Sequence, residues 1–187
     1  MANPIPNYDH NLVLPPHLGD PRNPSDLSPF PCSTIDLVDR FSTSKQRIEI
    51  LKGLISFRER LHTLGLMQGF QWLDGSFLED IESREKRDPK DLDVVTVYWG
   101  YDSIFQNALC TSLPEFKDPN LAKVNYLLDH YPFDAGFTPI STVENSRYWI
   151  QLFSHNRNSV WKGMLQVELN TPSDDQIALQ NLHKVII

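Results

Sequence analysis

The chain has no long apolar run. Nothing in its 187 residues approaches the roughly 18 consecutive apolar positions that a membrane-spanning helix requires. The opening Met1-Ala2-Asn3-Pro4 lacks a basic stretch leading into an apolar core, so it does not read as a secretory signal. Cysteine is scarce. Cys32 and Cys110 are the only two, and their spacing builds neither a zinc site nor a disulfide framework. They read as small apolar thiols of a reduced, cytoplasmic protein. Basic charge is also in short supply: 17 Lys and Arg stand against 24 Asp and Glu, a net charge of −7. That argues against binding a long nucleic-acid duplex. A single nucleotide remains open, because magnesium neutralises its phosphates locally, and so does a short RNA end on one small basic patch. The histidines (His10, His17, His62, His130, His155, His183) show no metal-ligand spacing. Walker-type loop, dinucleotide fingerprint and Gly-X-Ser-X-Gly elbow are all missing, which removes the commonest nucleotide-binding and hydrolase signatures.

Proline is plentiful, and it is concentrated. Eight prolines fall between Pro4 and Pro31, a density that leaves too few backbone donors for regular structure. Residues 1–43 therefore read as an extended arm, pinned to the body by Leu12, Val13, Leu14, Phe30 and Leu37, with a disordered tail as the alternative. Residues 44–187 read as one domain of ordinary composition, 40% hydrophobic and 22% charged. Ser44 is a candidate N-cap for a helix to Leu64, with Ile50, Leu54, Phe57, Leu61 and Leu64 forming one apolar stripe and Gly65 as its stop. A strand over 70–73 leads into Asp74-Gly75-Ser76, with a short helix over 76–81 and a charged loop to Lys90. Residues 91–99 form the clearest strand, apolar enough for a sheet interior. Helices are expected over 101–109, 120–130 and 146–153, and strands over 131–140 and 162–169. The remainder reads as a polar C-terminal segment.

The chemistry is concentrated at two places. A Gly-Ser turn can present backbone N–H groups to a phosphate, here at the start of the expected short helix. Asp91 and Asp93, at i and i+2 of a strand, project to one face and can share divalent cations. Together they offer what phosphoryl transfer from a nucleoside triphosphate needs: a cradle for phosphates, and oxygen ligands for Mg2+ or Mn2+, as two ions. Asp134, on an adjacent strand, would complete the second metal or act as general base. Gly75 and Ser76 would hold the triphosphate, and Lys162 or Arg157 would add a cation. Each has a plainer reading. In it Asp91 ends a loop, Asp134 accepts hydrogen bonds in a turn, Lys162 is a solvated strand-end lysine, and Asp74 fixes the turn. The tryptophans read as core or interface residues.

The stretches Leu73-Asp74-Gly75-Ser76-Phe77 and Lys90-Asp91-Leu92-Asp93-Val94-Val95, with Asp134 beyond, resemble the polymerase-β-like nucleotidyltransferase superfamily in its minimal form. With Leu14-Pro15-Pro16-His17, the helix around Arg47, Phe133-Asp134 and Lys162-Gly163, the chain is similar to a bacterial stand-alone group of that superfamily whose function is unknown. The resemblance implies an α/β (α+β) core, with a mixed sheet and helices packed mainly on one face. It also implies transfer of a nucleoside monophosphate, such as that of ATP, to a hydroxyl with release of pyrophosphate, and a toxin–antitoxin or phage-defence setting. The acceptor is left open among an RNA end, a protein and a nucleotide, as is a protein partner or homodimer; no membrane is expected. Two features depart from the pattern: the spacer over 77–90 is long and charged, and there is no room for a separate acceptor-binding domain. The competing reading is a non-catalytic nucleotide- or partner-binding module on the same fold, with a metal-dependent phosphoesterase as a third.

Overall fold

The computed structural model describes residues 4–185. Its centre is a five-stranded mixed sheet: β1 (Phe30–Pro31), β2 (Gly69–Asp74), β3 (Leu92–Tyr98), β4 (Leu128–Asp134) and β5 (Leu165–Glu168), in the order β1-β5-β2-β3-β4. β2 runs antiparallel to both β3 and β5, while the β3–β4 and β1–β5 pairs are parallel.

Helices cover the two faces unequally. α1 (Thr34–Phe41), α2 (Lys45–Thr63), α5 (Pro119–Tyr126) and α7 (Pro172–Leu182) pack on one face, with α4 (Ser103–Ser112) beside them. Alternate strand residues feed this main core: Leu73 from β2, Leu92 and Val94 from β3, Leu128 from β4, Leu165 and Val167 from β5. Against the other face lies α6 (Pro139–Phe153), whose Trp149 and Phe153 meet Trp72, Val95, Val97 and Phe133. A short α3 (Ile81–Glu85) links the Gly-Ser turn to β3. Among the described residues no helix is long and apolar enough to cross a membrane.

α2 follows the expected stripe and cap: Ser44 Oγ accepts from the Arg47 amide, and Ile50, Leu54, Phe57 and Leu61 are buried. The N-terminal arm is ordered against the body. The Leu12 carbonyl accepts from the Asp80 amide at 2.9 Å, the Leu14 carbonyl from Gly163 at 2.8 Å, and Phe30 and Cys32 donate to the carbonyls of Met164, just before β5, and Gln166, within it.

Four expectations need correction. The stretch taken as wholly extended contains α1, because no proline falls between Cys32 and Asp88 and a Ser33–Asp36 capping box opens the helix. The helix expected over 76–81 is a 3₁₀ turn over Ser76–Leu78 followed by α3, since Asp80 caps a new start at the Ser83 amide. α5 stops at Tyr126, where Leu127 turns left-handed at φ 58°, so β4 begins at Leu128 rather than 131 and α6 begins at Pro139 rather than 146. Pro132 is tolerated within β4 because this edge strand pairs only with β3. Finally, the polar C-terminal segment contains α7, with Pro172 in its first turn and Ala178 and Leu182 buried.

Candidate functional site

Three acidic residues stand side by side across three strands. Asp74 is the register partner of Asp93 on β2–β3, and Asp93 is the partner of Asp129 on β3–β4. All three lie on the α6 face, the opposite side from Leu73, Leu92 and Leu128. Asp91, two residues before Asp93, shares that face. The row opens into a cleft of about 830 Å³, walled by the Gly75-Ser76 turn, the last turns of α6 and the loop that follows it. That volume falls within the range typical of small-molecule sites.

Gly75 is required where it sits. Its φ is 87°, and a Cβ there would lie 2.2 Å from Asp93 Oδ2. The missing side chain lets the turn close over the Asp93 carboxylate. Behind the turn, buried Arg47 donates to the Phe77 and Glu79 carbonyls at 2.6 and 2.7 Å and pairs with Glu82. The arginine of α2 thus fixes the backbone that follows Ser76.

The electrostatics divide into a neutralised end and an acidic end. Lys162, 3% exposed, places Nζ 2.8 Å from Asp74 Oδ1 and 3.1 Å from Glu79 Oε1, and Glu79 also pairs with Arg84. Burial opposes the Lys162 charge, but Asp74 and Glu79 outweigh it and raise the ammonium pKa. Burial also pushes the Asp74 carboxyl upward, against the pull of Lys162. Asp93 has no such cation in contact: burial first, then the Asp91 and Asp129 charges, push it up to about 6. Lys123 of α5 lies between the outer acids, 2.7 Å from Asp91 Oδ2 and 3.9 Å from Asp129 Oδ2.

Of the residues singled out from the sequence, Gly75, Ser76, Asp91, Asp93, Arg157 and Lys162 all line this cleft. Asp134 does not join them. It pairs with Tyr98 at the far end of β4, five residues beyond Asp129, hence roughly 16 Å along the strand and on the other face. There it accepts from Gln106 at 2.8 Å and from the Gly136 amide at 2.9 Å, the turn-acceptor role. The expected strand over 131–140 does pair with β3, but it begins three residues earlier, at Leu128. Lys162 is a buried counter-ion under the turn rather than a solvated lysine. Asp129, Glu79, Lys123 and the α6 residue Tyr148 also line the cleft, and none belongs to the motifs singled out from the sequence. Asp129 carried a signal: Leu128-Asp129-His130 repeats the buried–acid–buried pattern of Leu92-Asp93-Val94.

The donor set is hard oxygen, which suits magnesium or manganese. Among the described residues, however, no group of three His, Cys, Asp or Glu side chains is arranged to hold a metal ion. The carboxylates are gathered but not closed into a cage, and Lys123 occupies the space between two of them.

Residues 6–168 match the model of a family described as a family of unknown function, DUF6932, and the chain belongs to that family. No curated protein and no solved structure matches it.

Proposed function

We propose that this member of the DUF6932 family is a metal-dependent nucleotidyltransferase built on a polymerase-β-like core. It would move a nucleoside monophosphate from a triphosphate to a hydroxyl and release pyrophosphate. The observation that carries the reading is the lateral row Asp74–Asp93–Asp129, with Asp91 beside it, facing a cleft closed by Gly75-Ser76. The mixed sheet, with most helices on one face, agrees with that core. Asp129, beside Asp93, takes the third-acid role in place of Asp134.

Magnesium keeps much of its water and is usually held by one or two carboxylates together with substrate phosphates. An open acid row next to the Gly75-Ser76 turn fits that mode of binding. In this reading Asp91, Asp93 and Asp129 hold the metal, which supplies charge neutralisation and Lewis acidity when bound. Gly75 leaves room for the Asp93 carboxylate. Ser76 and Arg157 face the phosphates, and Lys162 holds Asp74 and Glu79 in place beneath the turn.

The test is incubation with each labelled triphosphate, Mg2+ or Mn2+, and separate pools of cell RNA and protein. Label is expected in one pool with wild type and not with Asp93→Asn. Transfer that survives Asp93→Asn contradicts the assignment. The open carboxylate set and the Lys123 ion pair favour one competing reading, a module that binds nucleotide without turnover. Magnesium-dependent triphosphate binding with no transfer to any pool would support it.

A further inference from the structure

We infer that a second recess, on the outer side of α6, is the acceptor subsite of this cleft and receives the terminal nucleotide of a single-stranded nucleic acid; this rests on the nucleotidyl-transfer reading. The recess is shallow and open, about 630 Å³, and shares Tyr148, Leu152, His155 and Asn156 with the main cleft, so the two adjoin over the last turns of α6. A transfer reaction needs a second reactant beside the triphosphate, and a surface that adjoins the main cleft can admit it. The recess is such a surface, because it shares a wall with the cleft.

Its lining points to the chemistry of the guest. Arg147, Gln151 and Ser159 contribute a guanidinium, an amide and a hydroxyl, and no Asp or Glu lines it, in a chain of net charge −7. The arginines sharpen the point. Arg22, Arg47, Arg58, Arg84 and Arg87 are paired with carboxylates, Arg60 donates to the Ser112 carbonyl, and Arg40 lies over the Tyr8 ring. Among the described residues only Arg147 and Arg157 leave their guanidinium groups without a partner, and they face the recess and the main cleft respectively. Between the two spaces stands Tyr148, 54% exposed, its ring set edge-on against Trp149 at 4.9 Å. An unpaired cation beside a fixed, accessible aromatic ring and neutral hydrogen-bonding groups suits a phosphate with a base to stack. A duplex would need a wider basic footprint. A lone protein hydroxyl would use neither the guanidinium nor the ring. In the reaction, the terminal hydroxyl oxygen forms a bond to the α-phosphorus and the α–β bridging bond breaks. Pyrophosphate leaves with that electron pair, and the hydroxyl proton passes to a carboxylate of the acid row.

The test is fluorescence anisotropy with labelled single-stranded RNA and DNA oligonucleotides, the matching duplexes, a mononucleotide and an acidic tyrosine peptide. Wild type, Arg147→Ala and Gln151→Glu are compared, and Mn2+–triphosphate affinity is measured separately by calorimetry on each. Both positions are exposed and lie outside the main cleft, so both variants are expected to fold and to keep that affinity. The expected result is single-strand binding that weakens about tenfold in each variant. Absent single-strand binding, equal affinity for duplex, indifference to both variants, or preference for the peptide or the mononucleotide would each overturn the inference. Single-strand binding that depends on Arg147, in a wild type that binds no Mn2+–triphosphate, would instead overturn the transferase reading and leave a nucleic-acid-binding surface.

Discussion

At the scale of single residues, Asp93 bears the electrostatic cost of the site. Its carboxylate is partly buried between Asp91 and Asp129, and its pKa is raised accordingly. A charge held against its preference is a mark of functional positions as well as of strained ones. Asp93→Asn is therefore expected to raise the melting temperature at pH 8 while weakening Mn2+–triphosphate binding by on the order of 100-fold. Asp134→Asn, at the other end of β4, is expected to leave that binding unchanged. Thermal melts and calorimetry on the two variants check this, and equal effects would contradict the placement of the acids. Lys123 makes a second residue-level prediction. Its ammonium is 49% exposed and sits where a divalent cation would compete for Asp91 and Asp129. An exposed pair is worth up to about 1 kcal/mol, so Lys123→Met should tighten Mn2+ binding by about fivefold. Unchanged or weaker binding would show that the lysine supports the site rather than occupies it.

At the scale of elements, a buried polar chain ties the helical layer to the sheet. Arg58 of α2, fully buried, pairs with Asp175 of α7 at 2.9 Å and donates to Gln71 of β2 at 2.8 Å. Gln71 donates to Thr96 of β3 at 3.0 Å, and Thr96 meets His130 of β4 at 2.8 Å. Removing one partner of a buried ion pair strands the other, at a cost of about 3–5 kcal/mol. Asp175→Ala should therefore lower stability by about 3 kcal/mol in urea denaturation, and the double change Asp175→Leu with Arg58→Met should recover much of that loss. A double variant as unstable as the single one would argue that the pair contributes more than charge balance.

The same elements show what could be read from the chain before it folded. α2 and β3 were legible because their signals are local: an apolar stripe behind a serine cap, and a run of β-branched residues. The Gly-Ser turn and Asp91-X-Asp93 were placed together correctly because β2 and β3 pair directly. The third acid was misplaced because the end of α5 is set by Leu127 in a left-handed conformation, which no glycine or asparagine announces. The β4 boundary then slid, and an odd offset along a strand changes the face. α1 was hidden by the prolines before it. The Lys162 pairings and the recess over α6 depend on segments distant in sequence, so no local pattern encodes them.

At the scale of the whole molecule, the sheet separates two tasks. One face is packed with helices around a closed core, and the other, under α6, is left open for the cleft. The two sides respond to pH in opposite senses. Burial lowers His130 to about 3, below its ordinary value near 6.5. Its contribution to stability is therefore complete above pH 6.5 and lost as pH falls toward 3. Asp93 works the other way: raised to about 6, it favours the folded state below pH 4 and ceases to as pH rises through 6. Comparing wild type with His130→Gln isolates the first effect. Below pH 6.5 the wild type should lose stability relative to the variant by up to about 1.4 kcal/mol per pH unit, measured by denaturant unfolding; a pH-independent difference would contradict it. The central claim concerns the open face, and anomalous diffraction from crystals soaked in Mn2+ with a non-hydrolysable triphosphate tests it most directly. The account predicts a manganese peak between Asp93 and Asp129, with the phosphates directed toward Gly75-Ser76. A cleft without manganese at saturating metal, or metal bound elsewhere while the acid row stays paired to Lys123, would contradict it.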